Sequence, residues 1–96
     1  MSLRFDPEPY DVVDEIFERE SAGDRSAAHL ADRLDHWFGE LEKDPRPEST
    51  RRRRLRTTGL WMITIPRTGE QDDWAILWDI SHVTAWVRYV GPASFA

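Results

Sequence analysis

The chain has 96 residues, of which 40% are hydrophobic, with five Trp, no Cys and a net charge of −5. That length accommodates one domain over 1–96, burying roughly two thirds of the unfolded chain's surface, and the apolar content argues against a disordered chain. Without cysteine there is no disulfide framework, thiolate metal site or cysteine nucleophile, which suits a reducing, cytoplasmic setting.

No run approaches ~18 consecutive apolar residues, so no membrane span is expected. Residues 1–10 carry charges and prolines where a signal peptide needs an apolar stretch. Charge is uneven: the first 48 residues hold 6 Lys+Arg against 14 Asp+Glu, and the last 48 hold 7 against 4, giving −8 and +3. The first half repels polyanions; the second opens on Arg51-Arg52-Arg53-Arg54 with Arg56.

In chain order, Leu3-Arg4-Phe5 reads as a short first strand. Asp6 before Pro7 suits a helix N-cap followed by proline in the first turn. Val12, Val13, Ile16 and Phe17 then recur at helical spacing up to Gly23, and Asp24 is placed to cap a second helix. There Ala27, Leu30, Leu34, Trp37, Phe38 and Leu41 form one stripe, closed by Pro45 and Pro47. So short a break between the helices predicts an antiparallel helical hairpin.

After a polar linker the period changes. Leu55–Ile65, Trp74–Ile80 and Val83–Val90 are rich in β-branched and aromatic residues and predict three meandering antiparallel strands. Turns are expected at Thr68-Gly69 and at Ser81-His82. The fold class is therefore α+β: an N-terminal helical hairpin packed on one face of a three- to four-stranded antiparallel sheet.

Alternation assigns the faces. Trp61, Ile63, Ile65, Trp74, Ile76, Trp78, Ile80, Val83, Ala85, Val87 and Tyr89 are expected under the helices. Leu60, Met62, Thr64, Ala75, Leu77, Asp79, Thr84, Trp86 and Arg88 are expected on the opposite, open face.

This element order, with a basic segment running into "LRTTGLWMITIP", then "DDWAILWDI" and "VTAWVRYVG", resembles the RelE/ParE toxin superfamily. The likeness in element order covers nearly the whole chain, and in sequence mainly 54–91. It implies a compact toxin fold of a type II toxin–antitoxin module, an antitoxin protein as partner, and often ribosome-dependent cleavage of mRNA. Other branches poison DNA gyrase. The chain departs from the RNA-cleaving pattern at Met62 and Ala75, where such sequences often have arginine, and in ending on Gly91-Pro92-Ala93-Ser94-Phe95 in place of His-Arg and an aromatic.

Cleaving RNA requires a base for the 2′-hydroxyl, a donor for the leaving oxygen and cations for the developing charge. Arg88 on the open face is the candidate catalytic cation and His82 the candidate proton shuttle. Arg51, Arg52, Arg53, Arg54, Arg56 and Arg67 are the candidate RNA-binding residues, arginine being suited to phosphate. Equally, the arginine run reads as a solubilising edge or a counterweight to the acidic helices. Leu77 and Trp86, if outward beside Arg88, form an apolar patch that marks a protein interface. His29 and His36 lie about two helical turns apart, too far to share a metal, and no metal or cofactor is expected.

Two functions follow. One is a toxin acting as an mRNA interferase. The alternative is a catalytically inactive interaction module on the same fold, or a gyrase-directed toxin. A second copy of the chain is a further candidate partner.

Overall fold

The computed structural model describes residues 2–44, 53–54, 58–66 and 72–95. Its elements are β1 (Ser2–Phe5), α1 (Pro7–Ser21), α2 (Arg25–Lys43), β2 (Arg53–Arg54), β3 (Trp61–Ile65), β4 (Trp74–Ser81), β5 (Thr84–Pro92) and a 3-10 turn at Ala93–Phe95. Two helices pack on a mixed sheet, as the α+β reading requires. Pro45, Pro47 and the Thr68-Gly69 turn lie outside the described residues.

The helical hairpin follows from its end signals. Gly23 sits at φ +92°, a conformation that costs glycine little. Its amide donates to the Glu20 carbonyl and the Asp24 amide to the Arg19 carbonyl, the paired bonds of a Schellman ending. Asp24 then starts α2: its carboxylate accepts from the amides of Ser26 and Ala27 at 3.0 and 3.3 Å. The Ser26 hydroxyl bond, Arg19 and the Ala27 amide together hold the Asp24 carboxyl far below the usual carboxylate range.

The sheet order is β1-β5-β4-β3-β2. β3, β4 and β5 meander antiparallel, but β1 pairs parallel to β5, with Phe5 opposite Val87. The sheet is thus mixed, and the wholly antiparallel expectation is corrected. Alternation of side chains is the same in either direction, so it could not reveal how the first strand would pair. The expected strand over 55–65 is also shorter: it starts at Trp61, preceded by Gly59 at φ +73°, with Arg54 folded back opposite Trp61 on an edge strand.

One core lies between helices and sheet. Val13, Ile16, Leu30, Leu34, Phe38 and Leu41 meet Ile63, Ile65, Ile76, Trp78, Ala85 and Val87, with Trp61 and Trp74 at its margin. Trp78, completely buried, stacks near Trp61 with ring centroids 6.4 Å apart. Its Nε1–H has no hydrogen-bond partner among the described residues.

The assignment of faces holds along β3 and most of β4 but fails at Tyr89 within β5 and at Val83 just before it. Tyr89, expected inward, lies outward. Leu77 pairs with Tyr89 while Trp78 pairs with Val87, so Arg88 is an extra residue in a β-bulge and the alternation slips by one. Val90 regains the core side. Val83 is 71% exposed because it belongs to the His82-Val83 turn and not to the strand.

Candidate functional site

The outer face of the sheet was expected to be open. It is partly closed by a second apolar cluster of its own: Met62, Ala75 and Leu77 are buried and pack with Leu60, Tyr89 and Ala93. The bulge brings the Tyr89 ring onto this face, where its hydroxyl donates to the Pro92 carbonyl at 2.8 Å. Burial raises the phenol above its ordinary pKa. Gly91 makes the space, since a Cβ there would come within 2.7 Å of the Tyr89 hydroxyl.

Leu77 therefore faces the expected side but is only 6% exposed. The expected Leu77–Trp86 patch is corrected: Leu77 offers no surface, and Trp86 alone is half-buried there.

Arg88 lies next to Trp86, with its guanidinium carbon 5.1 Å from the ring centroid. Its Nε donates to Asp79 at 3.0 Å and its Nη1 to Asp6 at 2.9 Å. Burial alone would lower its pKa, but the bonds to Asp79 and Asp6 prevail and raise it. The Asp6 partner has a local cause. Asp6 precedes α1, yet its side chain makes no cap bond. Pro7 and Pro9 occupy the first and third helical positions and have no N–H to donate, so of the first three positions only Glu8 keeps a cap donor. The carboxylate is left to tie the start of α1 to β5. Arg88 is thus the centre of a structural ion-pair bridge from the start of α1 to β4, with two carboxylates against its one positive charge.

His82, the other candidate catalytic residue, is exposed in the tight β4–β5 turn at φ +57°. It lies six residues before Arg88, roughly 20 Å along an extended strand. The structure does not bring these two candidates together around one reacting atom.

Of the candidate RNA-binding arginines, Arg51, Arg52, Arg56 and Arg67 lie outside the described residues, and Arg53 occupies β2. Arg54 is exposed; its Nε donates to the Gly59 carbonyl at 2.9 Å and its guanidinium lies 5.1 Å from the Trp61 centroid. Opposite Trp61 on the antiparallel pair, Arg54 shares the helix side of the sheet, the side away from Arg88.

A feature missed in the sequence lies on the helical side. Phe5, Tyr10, Val13, Asp14, Phe17 and Phe38 line a groove of about 220 Å³. Phe5 stands edge-on to Phe38 at 4.9 Å and to Tyr10 at 6.3 Å between ring centroids. Phe17, Phe5 and Phe38 were legible as apolar positions, but that they leave an opening between them was not.

No described helix is long and apolar enough to cross a membrane. Comparisons of the chain with protein-family models, with curated proteins and with solved structures find no match.

Proposed function

We propose that this chain is a RelE/ParE-like module that works by binding protein partners and not by cleaving RNA. The observation that carries this reading is the state of Arg88. A cation meant to stabilise a phosphorane must be free to meet new negative charge, whereas Arg88 already spends two donors on Asp79 and Asp6. Its proposed proton-transfer partner, His82, stands at the far end of the hairpin. Among the activities that the resemblance implies, this supports those exerted through protein contact in the cytoplasm, with an antitoxin and a protein target, over ribosome-dependent mRNA cleavage.

The test is controlled expression in a bacterial host with mapping of transcript 5′ ends. The reading expects no new 5′ ends, whether or not growth slows, and the same result for Arg88→Ala. New cleavage sites that vanish in Arg88→Ala would overturn it.

The nuclease reading has one observation of its own. Arg54 is exposed beside Trp61, a cation and a ring of the kind that hold phosphate and base. Loss of RNA binding on Arg54→Ala, in filter binding at low salt, would favour it.

A further inference from the structure

The groove on the helical side carries the furthest inference, and it rests on the protein-binding reading above. Its walls come from three elements: Phe5 of β1, Phe38 of α2, and Tyr10, Val13, Asp14 and Phe17 of α1. Tyr10, at the lip, is 57% exposed. Large apolar side chains left around an opening are costly unless something covers them.

The surrounding charge says what that cover is. Asp14 lines the groove, and Asp11 and Glu18 lie one helical turn on either side of it, all three exposed. Asp35 stands one turn before Phe38 on α2, also exposed. None of these four takes part in an ion pair among the described residues. Like charges at such spacing disfavour a helix in isolation. The row is an unneutralised acidic rim beside an aromatic opening.

We propose that this groove docks a cationic amphipathic segment of a different protein. A large apolar side chain of that segment enters among Phe5, Tyr10, Phe17 and Phe38, and its Lys or Arg residues meet Asp11, Asp14 and Glu18. Helix-in-groove recognition works in this way, apolar anchors giving affinity and flanking charges giving register. A nucleic acid or an anionic lipid surface is repelled by the same rim. A second copy of the chain is disfavoured because it brings the same net charge of −5 and the same acidic helices.

The experiment pans a phage-displayed library of random linear peptides against the folded full chain, with counter-panning against Tyr10→Ser and Asp14→Lys. Both positions are exposed, and thermal melts confirm that the variants fold. Recovered peptides are expected to carry net positive charge with large apolar residues three or four apart. Synthesised and measured by fluorescence anisotropy, they should lose about tenfold or more in affinity on either variant, the scale of a hot-spot residue. Binding should also weaken as salt rises. Glu15→Lys makes the same charge change on another side of α1 and should cost clearly less than Asp14→Lys.

Acidic or neutral peptides, affinity insensitive to Tyr10→Ser, or equal losses from Glu15→Lys and Asp14→Lys would overturn the proposal. Self-association abolished by Tyr10→Ser, with no peptide enriched, would overturn it in favour of a second copy. The two ideas fail separately. Transcript cleavage would defeat the protein-binding reading without touching the groove, and failed panning would leave the Arg88 argument standing.

Discussion

The two faces of the sheet are made by the same strands, yet they are closed by different means. On the helix side, Ile65, Ile76, Trp78 and Val87 are buried by two amphipathic helices laid across them. On the outer side, Met62, Ala75 and Leu77 pack with side chains from the sheet's own strand and ends: Tyr89 brought round by a bulge, Leu60 and Ala93. Beside that cluster, the polar part of the outer face is held by the Asp6–Arg88–Asp79 bridge. A sheet face without a helical layer need not be a bare binding surface. An aromatic groove lies instead at the seam where β1, α1 and α2 meet.

Unequal burial on the two faces predicts unequal sensitivity. Trp78→Ala, in the helix-side core, should cost about 3–5 kcal/mol in urea unfolding. A loss below about 2 kcal/mol would mean that the helices do not close that face as described.

On the outer face the most sensitive position should be Gly91, where any side chain meets the Tyr89 ring. Gly91→Ala should cost about 1–3 kcal/mol by overpacking. Adding Tyr89→Phe removes the nearest atom and should return part of that loss, seen as coupling in a double-mutant cycle. Strict additivity would show that the ring does not lie over Gly91.

Arg88→Ala should destabilise by about 1–2 kcal/mol, the net value of charged hydrogen bonds in a partly exposed bridge. A neutral substitution would break the structural account of Arg88 and return it to the list of free cations.

The smallest effect should be an alkaline one. Burial raises the Tyr89 phenol in the folded state, so the unfolded chain gives up that proton first. This contribution is intact below the unfolded phenol's pKa of about 10 and is lost as pH rises above it. Tyr89→Phe should flatten this alkaline limb in unfolding curves followed by circular dichroism. An unchanged limb would place the phenol in water.

Much of the fold was legible because local chemistry and periodicity specify it. The helix stripe from Ala27 to Leu41, the Gly23-Asp24 break and the alternation of Trp74, Ile76 and Trp78 each carry their own signal. The site was legible only in part. Arg88 and Trp86 were placed on the outer face, but the carboxylate that answers Arg88 from Asp6 is distant in sequence. No local pattern links the two, and Asp6 before Pro7 reads in sequence only as a helix cap.

By itself, the sequence determined the order of helices and strands apart from the edge strand at Arg53-Arg54, the helix-side core and the acidic character of the first half, since each depends on neighbours along the chain. Only the tertiary structure decided that β1 lies parallel beside β5, that a bulge at Arg88 turns Tyr89 outward, and that three aromatic elements leave a groove between them. Those outcomes depend on which distant segments pack together, and on where the packing stops short. Periodicity records which way side chains point; it does not record what they meet.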